Sequence, residues 1–323
     1  MMKVVFMGTP DFAVETLRAV VSSGHEVAAV VTQPDKPKGR GTAMSMSAVK
    51  EAALAMSLPV LQPERARDEE FISRLRGINP DVIVVVAFGQ LLPKEIIDMP
   101  KYGCVNVHAS LLPKYRGASP VQWAVIDGCE YSGVTTMLMD EGLDTGDILL
   151  AEKVKLDKKE TGGSLFERLS LVGAQLLVKT LKALEEGSVT PVKQDEQKAT
   201  YVRMLNKAFG NIDFNQPAEK IERLIRGLNP WPSAYTHING KLLKIWDASV
   251  CGTSEAPSEA GESASRKAKP GTVVYSDDKA FIVQCSDKAL KINELQLEGK
   301  KRMKTEDFLR GYSVKPGDVL GVN

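Results

Sequence analysis

Residues 81–87 read Asp-Val-Ile-Val-Val-Val-Ala, an apolar run too short for an ordinary helix and without the alternation of a strand that shows one face to water. Such a run belongs inside a sheet covered on both faces, the situation of parallel strands joined by helices. The chain around it agrees. Strand-like runs at 3–7, 25–31, 82–86 and 104–108 alternate with helical patterns at 12–22, 48–56 and 68–76, whose apolar residues recur at three- and four-residue spacing. That alternation predicts βαβ units, an α/β class and a mostly parallel sheet with 82–86 near its centre.

A longer helix begins near Ser164, with Ser164 and Glu167 spaced as a capping box, and Leu165, Leu169, Val172, Leu176, Leu177 and Leu181 on one broad face. It closes a first domain, residues 1–188. A polar stretch, 189–206, with Pro191 and the run Lys193-Gln194-Asp195-Glu196-Gln197-Lys198, reads as a linker. Residues 207–323 make a second domain. In it a helix at 217–226, with Pro217 in its first turn and Gly227 past its end, precedes short β-like runs at 242–246, 271–274, 281–285 and 290–297. Short strands at this spacing predict a small β-barrel. The stretch 253–269 is rich in Ser, Ala, Glu, Pro and Gly and is expected to form a loop without regular structure.

Two domains suit a chain of 323 residues, because single cores rarely grow beyond roughly 250–300 residues. No apolar run approaches the roughly 20 residues of a membrane span, and the start, Met1-Met2-Lys3-Val4-Val5-Phe6-Met7-Gly8, has no signal-peptide pattern, so a cytoplasmic protein is expected with no membrane partner. Cys104, Cys129, Cys251 and Cys285 stand apart from one another with no CxxC pair, a spacing that fits free, partly buried thiols and predicts no metal site. A formal net charge of +1 argues against bulk electrostatic coating of nucleic acid and leaves local basic patches open.

Gly8-Thr9-Pro10-Asp11 stands where a dinucleotide-binding fold carries G-x-G-x-x-G, but Pro10 follows Thr9 in place of the second glycine, which disfavours a nicotinamide cofactor. More chemistry lies in Asn106-Val107-His108-Ala109-Ser110-Leu111-Leu112-Pro113-Lys114-Tyr115-Arg116-Gly117. It sits at the carboxyl end of a predicted strand, the edge at which open α/β sheets bind ligands. Asn106 and His108, two positions apart, share a face. The Gly-punctuated loop Met139-Asp140-Glu141-Gly142-Leu143-Asp144-Thr145-Gly146-Asp147 supplies Asp144 as a carboxylate that its glycines allow to approach. An amide donor, an imidazole and a carboxylate together suit acyl transfer. His25 and His237 have no such company and read as structural or surface residues.

The blocks Asn106-Val107-His108-x-Ser110-Leu111-Leu112-Pro113-x-Tyr115-Arg116-Gly117 and Gly142-Leu143-Asp144-x-Gly146 resemble the folate-dependent formyltransferase family. The resemblance implies a Rossmann-like first domain, 10-formyltetrahydrofolate as co-substrate, and Asn106, His108 and Asp144 as catalytic residues. It extends through Phe6-Met7-Gly8-Thr9-Pro10-Asp11-Phe12, Thr32-Gln33-Pro34-Asp35, Gly39-Arg40-Gly41 and Asn229-Pro230-Trp231-Pro232 to the family members that formylate the amino group of methionine on initiator tRNA, whose second domain is an OB-like barrel that touches tRNA. Thr42-Ala43, Ala109 and Ser132 depart from residues common in those relatives.

The resemblance further implies a folate slot made by Phe88, Gly89, Gln90, Leu91 and Leu92 after the buried strand, by Ser110, Leu111, Leu112 and Pro113, and by Asp140 and Asp144. For tRNA it points to Lys36, Lys38 and Arg40 in the loop 33–47, and to Lys300, Lys301, Arg302 and Lys304, the densest basic cluster of the second domain. Within such a site Asn106 and His108 face the developing oxyanion, and Asp144 either orients the imidazole or moves protons through a water. No metal is expected in the chemical step, and a monomer is expected. The alternatives are a formyltransferase or 10-formyltetrahydrofolate hydrolase acting on a small molecule, which leaves the second domain without a role, and a non-catalytic tRNA-binding module, which leaves the Asn-His-Asp set without one.

Overall fold

Apolar spacing dictates the elements of the computed structural model, which describes residues 1–37, 44–251 and 268–321. In chain order these are β1 (Lys3–Gly8), α1 (Phe12–Ser22), β2 (Glu26–Val31), β3 (Lys36–Pro37), β4 (Met44–Ser45), α2 (Ala48–Ala55), β5 (Val60–Leu61), α3 (Glu69–Ile78), β6 (Val82–Val86), α4 (Lys94–Ile97), β7 (Cys104–His108), β8 (Arg116–Gly117), α5 (Pro120–Ile126), β9 (Tyr131–Leu138), β10 (Ile148–Lys155) and α6 (Gly162–Glu186). There follow β11 (Tyr201–Val202), α7 (Ala218–Gly227), β12 (Ala234–Ile238), β13 (Lys241–Cys251), β14 (Val273–Ser276), β15 (Phe281–Gln284), β16 (Ala289–Leu297), β17 (Met303–Lys304) and α8 (Thr305–Leu309).

Two compact units divide the chain: Met1–Pro120, Tyr131–Lys155 and Phe166–Arg203 form one, and Val121–Glu130, Leu156–Leu165 and Met204–Asn323 the other. The first carries a sheet in the order β10-β9-β7-β6-β1-β2-β5. β5, β2, β1, β6 and β7 run parallel, and the β9–β10 hairpin adds antiparallel strands beyond β7. The order reverses between β1 and β6, the kind of point at which a doubly wound sheet opens a crevice at its carboxyl edge. Every residue of β6 is buried, as its sequence demands. Val5, Met7, Ile83 and Val85 pack with Phe71, Ile72 and Leu75 of α3. α6 approaches the sheet at Gly173, where a Cβ would lie 3.1 Å from Val107 and 3.5 Å from Val134, so a small residue lets the helix seat directly under β7 and β9.

The second unit holds an antiparallel sheet in the order β12-β13-β16-β15-β14, with β17 on β16. Its margins are bridged by the chain end: Val273 N–H donates to Asp318 O, Leu320 N–H to Gly271 O and Gly321 N–H to His237 O. The bridging gives the sheet the barrel-like closure predicted for this half. Ile221 and Ile225 of α7 join Leu243, Ile245, Phe281, Val283, Leu290, Ile292 and Leu295 in the core.

Three features differ from the sequence reading. α6 starts at Gly162, two residues ahead of Ser164, and its cap is Thr161 rather than Ser164: Thr161 Oγ1 accepts from Ser164 N–H at 3.0 Å while Ser164 Oγ accepts from Thr161 N–H at 2.9 Å. Gly162 and Gly163 look like helix breakers but serve close packing, since a Cβ on Gly162 would lie 2.2 Å from Gly227 O. The stretch read as a linker is built onto the first unit as far as Arg203, with β11 parallel to β8. Finally, 121–130 and 156–165 belong to the second unit although they lie far upstream in sequence. The insert 253–269 lies outside the described residues except for its last two.

Candidate active site

β7 delivers Asn106 and His108 to the carboxyl edge of the sheet, flanked by Val85 of β6 and by Met137 and Thr135 of β9. Both are nearly buried. No described residue hydrogen-bonds the Asn106 side chain, so its amide remains available to a ligand. His108 is held: its Nε2 lies 2.9 Å from Tyr115 O, and its Nδ1 lies 3.6 Å from Asp144 Oδ2.

Asp144 reaches this position by adopting φ +56°, the left-handed region that aspartate enters more readily than most side chains, at a cost of about 1–2 kcal/mol. Its Oδ2 accepts from Gly117 N–H at 2.7 Å. The loop around it is tight. A Cβ on Gly146 would lie 1.6 Å from Leu138 O, so only glycine fits there. Asp140 braces the other side, its Oδ1 accepting from Gly142 N–H at 3.0 Å and from Thr145 Oγ1 at 2.6 Å. Asn106, His108 and Asp144 are thus brought together.

The residues expected to line a folate slot divide. Ser110 to Pro113 form a turn fastened to β9 by Thr135, whose Oγ1 donates to Ser110 O at 2.7 Å and accepts from Leu112 N–H at 3.1 Å. Leu111 fits over Gly133, where a Cβ would lie 2.6 Å from Leu111 Cδ2. Phe88 and Leu92 are buried in the core beside Ile96 and Cys104, which leaves backbone rather than side chain to face a ligand. Phe88 O accepts from Thr9 Oγ1 at 2.9 Å and from Gln33 Nε2 at 3.2 Å, tying β1 to β6 at the point of reversal. The Gln90 side chain is spent on the 64–66 turn, its Oε1 accepting from Ala66 N–H at 2.6 Å and its Nε2 donating to Glu64 O at 3.2 Å. Gly89 takes φ +84°, and Leu91 is exposed.

Sequence reasoning missed an adjoining network. Arg116 is fully buried, and its guanidinium donates to Gln194 Oε1 from Nε (3.0 Å) and Nη2 (2.8 Å), to Glu196 from Nη1 (2.9 Å) and Nη2 (2.7 Å), and to Tyr201 OH from Nη1 (2.8 Å). These bonds raise the Arg116 pKa and hold the Glu196 carboxyl below its ordinary value. Gln194 Nε2 in turn donates to Asp144 O at 2.8 Å and Gly146 O at 2.7 Å. Only the place of Arg116 within the motif gave a hint of this.

Of the expected tRNA contacts, Lys38 and Arg40 lie outside the described residues. Lys36 is exposed on the β3–β4 pair, whose base is fixed by the ion pair of Asp35 with Lys50 at 2.6 Å and by Thr32 Oγ1 against Ser47 Oγ at 2.7 Å. In the second unit Lys300, Lys301 and Lys304 are exposed. Arg302 pairs with Glu294 at 2.5 Å and lies 4.8 Å above the Trp246 ring. His25 accepts from Met2 N–H at 3.2 Å, and burial lowers its pKa, while His237 sits edge-on to Tyr235 at 5.9 Å, both as structural residues. The cysteines are free thiols, with burial pushing Cys104 and Cys285 up to about 12. Among the described residues no helix is long and apolar enough to cross a membrane, and no group of His, Cys, Asp and Glu could hold a metal ion.

Known proteins resemble the chain in sequence and in fold. The family model described as "Formyl transferase" matches residues 2–181, and "Formyl transferase, C-terminal domain" matches 204–313. Methionyl-tRNA formyltransferase from Lachnospira eligens is 65% identical over 321 residues, covering 99% of this chain and 100% of that protein. The Agathobacter rectalis protein of the same name is 54% identical, with 99% of each chain covered. Among solved structures, the N-formyltransferase from Helicobacter canadensis in complex with folinic acid and dTDP-3-aminofucose shares the fold at a TM-score of 0.63 and 18% identity, covering 94% of this chain and 100% of that one. HypX from Aquifex aeolicus in complex with tetrahydrofolic acid does so at 0.63 and 16%, covering 95% of this chain and 47% of the longer one. Both matched halves, and relatives alike from end to end, make this chain a member of the formyltransferase family.

Proposed function

We propose that this chain transfers the formyl group of 10-formyltetrahydrofolate to the α-amino group of methionine on initiator tRNA. The observation that carries the reading is the open Asn106 amide beside the His108–Asp144 pair at the carboxyl edge of the sheet, in a chain alike throughout to proteins named for that reaction. The folate-bound neighbours of the same fold support a folate donor.

The donor brings the formyl group; the chain's residues handle charge and protons. As the amine attacks, negative charge grows on the formyl oxygen, and the Asn106 amide N–H is free to meet it. One such donor is worth roughly 10²–10³ in rate. An α-amino group of pKa about 8 is mostly protonated at neutral pH and must lose a proton before and after attack. His108 is suited to take one: Tyr115 O can only accept, so Nε2 keeps its proton there, and the Nδ1 lone pair, 3.6 Å from Asp144 Oδ2, is the ring position that receives the proton, with the carboxylate stabilising the resulting imidazolium. Asp144 orients the imidazole or relays the proton towards the departing folate nitrogen through a water. Neither role calls on a metal ion, so chelation is expected to leave turnover unchanged once the magnesium that tRNA folding requires is restored.

The second unit's Lys300, Lys301 and Lys304 are suited to phosphate contact, and the enzyme works as a cytoplasmic monomer in this reading. The test is formyl transfer with 10-formyltetrahydrofolate to methionyl initiator tRNA, to free methionine and to aminated sugars or nucleotides. Efficient transfer to the tRNA alone is expected. Preference for a small amine, or release of formate without an acceptor, would favour the small-molecule alternatives instead.

A further inference from the structure

Gln194 lies in a polar run that composition alone marks as a linker, yet each polar atom of its side chain is committed. Its amide nitrogen donates to Asp144 O at 2.8 Å and Gly146 O at 2.7 Å, on either side of Thr145. Its amide oxygen accepts from Arg116 Nε at 3.0 Å and Nη2 at 2.8 Å. Arg116 is itself fully buried and spends all its N–H groups on Gln194, Glu196 and Tyr201, leaving none for a substrate phosphate. Asp144 meanwhile holds a left-handed backbone conformation, a modest cost that contacts around the turn must offset. The two carbonyls that Gln194 grips bracket that turn.

We propose that Gln194, anchored by Arg116, is a positioning residue that holds the 144–146 turn and thereby fixes the Asp144 carboxylate against Gly117 N–H and His108. The proposal rests on the catalytic reading of Asp144. Arg116, in the motif that continues the catalytic block, then serves geometry and not anion binding. The run 194–201 works as a clamp on the active-site loop.

The test uses the full-length protein and separates the two halves of the amide. Gln194→Glu keeps an oxygen for Arg116 but replaces the donors by a second acceptor facing two carbonyls; Gln194→Met keeps the length and removes both. Each is measured for thermal stability, for kcat and for KM towards both substrates, alone and combined with Asp144→Ala. The expected result is a kcat loss of about tenfold to a hundredfold in both variants, with both KM values within about twofold of wild type. In the Asp144→Ala background the same substitutions should cost less than about twofold more, because residues that act through one group are not additive. Gln194→Glu with wild-type kcat, or losses that multiply fully with that of Asp144→Ala, would overturn the clamp while leaving Asp144 catalytic. Wild-type kcat in Asp144→Ala itself would overturn the catalytic reading and the clamp with it.

Discussion

The positions nearest the reaction combine legible chemistry with invisible support. Asn106 and His108 could be paired from their two-residue spacing on a strand, and Asp144 could be added only because glycines marked its loop as able to turn back. What the sequence could not reveal is which polar residues hold them. Gln194, Glu196 and Tyr201 sit about 80 residues from Arg116 in the chain, and a run of polar side chains reads as solvated unless a buried guanidinium is known to need it. The Glu196 carboxyl, lowered by its Arg116 hydrogen bonds, has a pH signature. Because the folded pKa lies below the unfolded one, its stabilising contribution is present above the unfolded carboxylate value of about 4.3 and is lost as pH falls through the folded value. Glu196→Gln should therefore melt below wild type at pH 7, with the gap closing on acidification below about pH 4.3. A gap of constant size across that range would mean that the pair contributes no charge-dependent stability. Gly146→Ala acts by sterics in the same loop: a methyl 1.6 Å from Leu138 O forces the backbone to move. The variant should lose at least about tenfold in kcat, as expected of a misplaced catalytic group, and wild-type turnover would show that the turn tolerates relocation.

At the level of elements, period was a reliable guide and special chemistry was not. α1 and β6 occupy the residues their apolar spacing assigns, β15 and β16 differ from the expected runs by one residue at an end, and β13 runs five residues beyond its expected end, to Cys251. β12 escaped notice because Pro230 and Pro232 precede it, although its alternate residues Ala234, Thr236 and Ile238 face inward. The cap of α6 was placed at Ser164 and not at Thr161 because paired glycines suggest a break, whereas here they lie in the first turn and admit neighbouring backbone. The turn 110–113 shows how one element fixes another. Thr135 of β9 both donates to and accepts from it, so Thr135→Val strands the Leu112 N–H and the Ser110 carbonyl together. A buried unpaired group costs about 1–3 kcal/mol, and denaturant melts should show a loss of that size with a raised KM for the folate donor and an unchanged KM for tRNA. An unchanged donor KM would remove this turn from the folate slot.

For the whole molecule, the order of the chain misleads about its division. The expected boundary treated everything up to residue 188 as one domain, but Ile126 lies in the core of the second unit, and residues as far as Arg203 belong to the first. Such discontinuity leaves no mark on local periodicity, because a short helix such as α5 looks alike whichever core receives it. A cut near residue 198 would therefore deprive β8 of β11 and strip 121–130 of its packing, so the separate contribution of the second unit is better probed by charge. Replacing Lys300, Lys301 and Lys304 by glutamate should raise the KM for tRNA and flatten its salt dependence by roughly one phosphate contact per productive lysine, with folate KM unchanged. An unaltered salt slope would place tRNA recognition elsewhere on the molecule. The central claim is that Asn106, His108 and Asp144 carry formyl transfer, and single-turnover formylation of methionyl initiator tRNA tests it most directly. With enzyme in saturating excess over the tRNA and folate saturating, Asn106→Ala, His108→Ala and Asp144→Asn should each slow the chemical step by at least about 10²-fold while melting with wild-type cooperativity; a folded variant of any of the three that formylates at the wild-type rate would contradict the assignment of that residue.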